Sequence, residues 1–111
     1  MTKPSGDQLV LMLSALANPQ RLRILAALSK RRAYVSELAR ELAMSRPLLH
    51  MHLLRLESAG LIAGHHEVSA DGKALRYYEV VDFHEQLTPK RISEAVNTLT
   101  IDSEPNRKEK R

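Results

Sequence analysis

The sequence predicts a mainly α fold carrying one small β-hairpin, on three observations. Two short amphipathic helical patterns flank a three-residue turn between Val35 and Gly60. From Leu61 the hydrophobic period changes from helical to alternating, and Asp71-Gly72 marks a reversal inside that alternating stretch. Two helices across a tight turn form a helix-turn-helix, and a hairpin directly after them makes it the winged variant.

A chain of 111 residues supports one domain with a modest core. With 43% hydrophobic and 27% charged residues its bulk is globular. The net charge of +4 and sequence pI near 9.7 favour an anionic partner. Without cysteine there are no disulfides and no thiolate metal site. No apolar run approaches the ~20 residues of a membrane span, and the N-terminus lacks a signal-peptide layout. A cytoplasmic location with no membrane partner is the resulting expectation.

Taken in order, residues 1–5 look loose and a first helix is expected from Asp7 to Ala17. It is apolar around most of its circumference, whereas a helix of a small monomer should keep one wet face. Leu9, Leu13 and Leu16 can serve the core, which leaves Val10, Leu11 and Met12 wanting cover. A homodimer contact involving Leu9, Val10, Met12 and Leu13 is expected; cover by the chain's own C-terminus is the alternative. Asn18-Pro19 then starts a second helix, a capping residue followed by proline in the first turn. Its predicted core face is Leu22, Leu25, Ala26 and Leu28 with Ile24 beside them, and Arg21 and Arg23 fall off that stripe, either to meet phosphates near the helix start or, as is usual for helix arginines, to be solvated. Lys30-Arg31-Arg32 complements the negative end of the helix dipole.

In the helix-turn-helix itself Ser36 is the expected N-cap of the first helix, with Leu38, Ala39, Leu42 and Ala43 at helical spacing. The pattern stops at Ala43-Met44. Ser45 caps the second helix, Pro47 is tolerated in its first turn, and Leu49, Leu53 and Leu56 form its inward stripe. Gly60 stands where a left-handed C-terminal residue is wanted. Leu61 to Ser69 and Ala74 to Val81 are the hairpin strands, with Tyr78 and Val80 turned toward the helices and Lys73 and Arg76 on the projecting ribbon. Val81 to Leu87 reads as a short extended segment. Thr88-Pro89 opens a last helix whose stripe of Ile92, Ala95, Val96 and Leu99 exceeds what so small a core can hold. Ile92, Val96 and Leu99 therefore join the expected dimer surface. The folded domain is placed at 6–100, and 101–111, with three acids, four bases and mostly polar residues, is expected to be a disordered charged tail.

LANPQRLRILAAL at 16–28, VSELARELAMSRPLLHMHLLRLESAGLI at 35–62 and RYYEV at 76–80 together resemble the arsenic-repressor (ArsR-type) winged-helix transcription regulators. The similarity covers residues 9 to 81, and the segment 82–100 looks like that of archaeal members. This resemblance implies a homodimer on a two-fold symmetric site in double-stranded DNA, usually acting as a repressor. It places the helix at 45–59 in the major groove and the wing at 61–81 on flanking DNA. The Cys-x-Cys metal sensor of many members is replaced here by Tyr34-Val35-Ser36-Glu37, so that site cannot exist. Asp82-Phe83-His84 echoes half of a second metal site whose other half is missing. His65 and His66 are strand neighbours that point to opposite faces, a poor chelate. No metal or other cofactor is expected, and the effector is not legible.

Placing residues 46–58 on a helical wheel turns Arg46, Pro47, His50, Met51, Leu54, Arg55 and Ser58 outward. Arg46 and His50 suit base edges, with Pro47 and Met51 beside them, since arginine can bond guanine O6 and N7 together. Ser45, Arg55, Lys73 and Arg76 suit the phosphate backbone. His52 is expected to be structural, with a backbone partner. Met51 and Leu54 are unusual on a DNA-facing side, and three roles fit them: contact with thymine methyls, contact with a protein surface, or a domain that binds DNA weakly. No catalytic constellation can be assembled from the scattered acids and four glycines, which argues against an enzyme. The alternative function is a winged-helix protein-interaction module with weak or no specific DNA binding.

Overall fold

A computed structural model describes residues 3–100; the expected tail at 101–111 lies outside the described residues. The elements run α1 (Gly6–Leu16), α2 (Pro19–Lys30), β1 (Ala33–Tyr34), α3 (Val35–Glu41), α4 (Arg46–Ser58), β2 (Ile62–Val68), β3 (Ala74–Val80) and α5 (Pro89–Val96). Residues 11–84 form one compact unit, and residues 3–10 together with 85–100 form another, so α1 contributes to both.

The larger unit carries the helix-turn-helix and the wing. Ile24, Leu28, Leu38, Leu49, Leu53, Leu56, Leu61 and Tyr78 are its largest buried side chains. Leu38 comes from α3, the three leucines from 49 to 56 from α4, and Tyr78 from β3, so burying this cluster fixes the two helices and the sheet together. Met12 and Ala15 from α1 close the cluster on one side. That reverses part of the expected pattern on α1. Met12 is buried and Leu13 is exposed, because the inward stripe runs through Leu9, Met12 and Ala15, with Leu16 partly buried against the core as expected. A helix apolar on nearly all sides leaves periodicity unable to choose its face.

On α2 the buried stripe is Arg21, Ile24, Leu25 and Leu28, a regular i, i+3, i+4, i+7 series. Leu22 and Ala26, expected in the core, are exposed. Ile24, Leu25 and Leu28 are buried as expected, and the stripe starts at Arg21, a residue that polarity alone assigns to solvent. Asn18 caps α2 as expected, its Oδ1 accepting from the amides of Gln20 at 2.9 Å and Arg21 at 3.1 Å.

β1 is only two residues long, too short to carry a period. It nevertheless pairs with β3, Ala33 opposite Tyr78 and Tyr34 opposite Tyr77, giving a three-stranded antiparallel sheet in the order β1-β3-β2. The N-cap of α3 is Tyr34, two residues before the expected Ser36, so the helix starts at Val35 directly after the paired strand. Its first turn is held by Glu37, whose carboxylate accepts from the Tyr34 amide at 2.9 Å. The turn between α3 and α4 puts Ala43 in the left-handed region at φ 52°. The Met44 amide there reaches back to the Ala39 carbonyl at 2.9 Å, a Schellman closure normally given to glycine. After α4 the same closure uses Gly60 at φ 77°, and Leu61 donates to Leu56 at 3.0 Å.

The β2–β3 register pairs Ile62 with Val80, Gly64 with Tyr78 and Val68 with Ala74. Gly72 at φ 86° turns the hairpin, its amide donating to the Ser69 carbonyl at 2.9 Å. Alternation turns Ile62, Gly64, Tyr78 and Val80 toward the helices. On the other face His65 stacks on Tyr77 at 5.0 Å between centroids, Tyr34 meets the same ring edge-on at 5.8 Å, and the Arg32 guanidinium lies 4.6 Å from its centroid.

In the smaller unit Ser5 and Gln8 form a capping box at the start of α1, so residue 5 is not loose. Gln8 Oε1 accepts from the Ser5 amide at 2.8 Å and Ser5 Oγ from the Gln8 amide at 3.2 Å. Thr88 caps α5, accepting from the Arg91 amide at 3.0 Å. α5 ends at Val96, so Leu99 lies beyond it, and the segment before α5 is not a strand. Arg91 is buried with its guanidinium on Glu85 at 2.8 Å and on the Pro4 carbonyl at 2.7 Å. Leu9 is buried as well, which removes it, like Met12, from the expected dimer surface. Val10, Leu11, Leu13, Ile92, Val96 and Leu99 remain exposed.

Two substitutions test these backbone assignments in opposite directions. Ala43→Gly removes left-handed strain and should raise stability by about 0.5–1 kcal/mol after the entropy cost of glycine. Gly64→Ala should cost about 1–3 kcal/mol, because its Cβ would stand 2.7 Å from the buried Tyr78 ring. Urea denaturation of the two variants beside the parent chain measures both.

Candidate nucleic-acid interface

α4 is anchored in the larger unit by its capped start and its buried stripe. Ser45 Oγ accepts from the Leu48 amide at 3.3 Å, and Pro47 occupies the first turn, where no intrahelical amide is required. Leu49, His52, Leu53 and Leu56 are buried, which leaves Arg46, Pro47, His50, Met51, Leu54, Arg55 and Ser58 facing out. Leu48, at the shoulder of the same helix, is also exposed, and the sequence reading did not single it out.

Arg21 holds α4 in place, although its side chain was expected in solvent. It is only 9% exposed. Its Nε donates to the Ala15 carbonyl at 2.7 Å and its Nη2 to Ser14 at 3.5 Å, both in the last turn of α1 where carbonyls lack intrahelical partners. Its Nη1 lies 3.2 Å from His52 Nδ1. A guanidinium offers only donors, so Nδ1 must accept and His52 is neutral with its proton on Nε2. His52 is structural, as expected, but its partner is a side chain from α2 and not a backbone group.

Around the start of α4 lies a cleft of about 230 Å³ lined by Tyr34, Val35, Ser36, Arg46, Ala74, Leu75 and Arg76. Two cations from different elements therefore flank one opening. Arg46 is exposed at the first turn of α4. Arg76 does not project freely from the wing, as expected from its place on the ribbon. It shares the inward parity of Tyr78, so its guanidinium sits 5.2 Å from that ring and 3.9 Å from Glu57 on α4. Lys73 is exposed at the hairpin tip and Arg55 on the last turn of α4. The cleft thus gathers Arg46 and Arg76, while Lys73 and Arg55 stand apart from it.

Among the described residues no three His, Asp or Glu side chains are grouped to hold a metal. His65 is engaged by Glu79 at 2.7 Å on the outer face of the sheet, and His66 stands on the opposite face by strand alternation. Among the described residues no helix is long and apolar enough to cross a membrane.

Burial first, then Arg21 and Arg55, hold the His52 imidazole below its ordinary value of 6.5. Below that pH the unfolded chain takes up the proton more readily than the folded one. The contribution of His52 to stability is therefore complete above about 6.5 and declines as pH falls through the folded value. The thermal midpoint should drop between pH 7.5 and 5, and His52→Gln should remove part of that slope; parallel slopes would contradict the neutral Arg21–His52 contact.

Comparison with known proteins agrees with this geometry. Residues 18–63 match the family described as bacterial regulatory protein, arsR family. An uncharacterised HTH-type transcriptional regulator of Methanocaldococcus jannaschii is 40% identical over 75 residues, spanning 67% of this chain and 77% of the relative. The homodimeric winged helix-turn-helix DNA-binding domain of a possible ArsR-family regulator from Mycobacterium bovis superimposes with a TM-score of 0.57 at 28% identity, covering 67% of this chain and 64% of that one. NolR from Sinorhizobium fredii does so with a TM-score of 0.56 at 30% identity, over 72% and 81% of the two chains. A capped helix with its cations turned outward, a hairpin wing beside it and these matches across the same residues place the chain in the ArsR family of winged helix-turn-helix transcription regulators.

Proposed function

We propose that this chain is a sequence-specific DNA-binding transcription regulator that works as a homodimer on a two-fold symmetric site, most simply as a repressor. α4 enters the major groove and the wing lies on flanking DNA. The observation that carries this reading is the outward side of α4, where Arg46, His50 and Arg55 are exposed and Glu57 is engaged by Arg76. Arg46 and His50 are the candidate base readers. Ser45, Arg55 and Lys73 take phosphates, and Arg76 reaches a phosphate only in the cleft it shares with Arg46. A cytoplasmic location and the absence of catalytic activity go with this role.

Two apolar faces supply the dimer contact in this proposal: Val10, Leu11 and Leu13 on α1, and Ile92, Val96 and Leu99 on and just after α5. Exposed apolar side chains repeated at helical spacing favour a symmetric partner. The chain should sediment as a dimer at tens of micromolar, and Val96→Glu, on a residue already 56% exposed, should shift it toward monomer without unfolding it.

DNA binding is tested by its dependence on salt and on single cations. A dimer making roughly 6–10 phosphate contacts should lose about 10³–10⁵ in affinity between 50 and 200 mM salt. Arg46→Ala should erase about 1–3 kcal/mol of preference for the selected sequence, while Lys73→Ala should weaken all duplexes alike and reduce the salt slope by about 1. An Arg46→Ala variant that loses equal affinity for selected and random DNA would exclude a reading role.

A further inference from the structure

The outward side of α4 carries more apolar surface than its own fold uses. Leu49, Leu53 and Leu56 already supply its core face, yet Met51 is 46% and Leu54 47% exposed. At about 100° per residue, Pro47, Met51, Leu54 and Ser58 fall along one line down the middle of the exposed side. Arg55 lies on one flank of that line and Arg46 and His50 on the other. The result is an apolar strip between two margins, one carrying Arg55 with the exposed Leu48, the other carrying Arg46 and His50 with Glu57, whose carboxylate faces Arg76 at 3.9 Å. Its complement is a surface with negative edges and an apolar floor.

Resting on the DNA-binding reading above, we infer that Met51 and Leu54 read thymine 5-methyl groups in the floor of the major groove. The thymine methyl is the apolar group that base edges present there, with Arg55 on one flank facing a phosphate and Arg46 on the other facing a base edge. Three residues of helix advance about 4.5 Å along the axis, close to the ~3.4 Å rise of one base step. Met51 and Leu54 therefore meet methyls on adjacent base pairs, next to the base that Arg46 contacts. The half-site contains neighbouring A·T pairs for this reason, and their discrimination from G·C comes from methyl contact in addition to hydrogen bonding.

The test uses the full chain and a duplex selected from a random pool. Replacing the implicated thymines by deoxyuridine removes only the methyl group and leaves charge and hydrogen bonding unchanged. Affinity should fall about fourfold for each methyl removed, the effect of one buried carbon of that size. The Met51→Ala, Leu54→Ala double variant changes only exposed side chains and should bind thymine and deoxyuridine duplexes equally. If the parent chain prefers the selected duplex over random DNA but ignores the deoxyuridine change, DNA binding stands and methyl readout is overturned. If the double variant keeps full affinity for the thymine duplex, the strip serves an anionic protein surface instead and the inference falls. If no duplex is selected by a folded chain, the DNA-binding reading fails and the inference with it.

Discussion

Arg21 is the contact on which the placement of the rest depends. A buried guanidinium is costly unless every face of it is used, and here its donors are directed to two carbonyls at the end of α1 and to a histidine on α4. One side chain of α2 thereby terminates the preceding helix and fixes the rotation of the helix that faces the ligand. Rotation matters more than position for α4. A turn of one residue about its axis would exchange His52 for Met51 on the buried side, and the exposed cations would move with it.

The apolar core reinforces the same choice. Leu49, Leu53 and Leu56 are fully buried, so the opposite side of α4 must remain in solvent whatever it carries. The wing is then set by Tyr78, packed over Gly64 in a register that leaves no room for a side chain at that glycine. The outward side of α4 is therefore a consequence of packing: Arg46, His50, Met51, Leu54 and Arg55 are exposed because the stripe of Leu49, His52, Leu53 and Leu56 turns the other side of the helix into the core.

Much of this was legible in the residues. Asn18, Ser45 and Thr88 each announced a helix start and each accepts the expected backbone bond, because capping is local chemistry decided within three residues. Gly60 and Asp71-Gly72 were readable for the same reason. The misses share a different cause. β1 exists only through its pairing with β3, Arg21 is buried only because α1 and α4 converge on it, and Arg76 turns inward because it has the parity of Tyr78. Each depends on partners distant in the chain. On α1 the difficulty was surplus, since apolar residues on all sides left Met12 and Leu13 interchangeable by periodicity. The site was half legible for that reason: the outward residues of α4 followed from its leucine stripe, but the cleft joining Arg46 to Arg76 required the fold.

In the proposed function the outward side of α4 meets base edges in the major groove. Methylation interference on a selected duplex tests it most directly, because dimethyl sulfate modifies guanine N7 in the major groove and adenine N3 in the minor groove. N7 methylation at one or two guanines in each half-site should abolish binding, in a pattern symmetric about the centre. Interference confined to adenine N3 would put the protein in the minor groove and contradict the proposal.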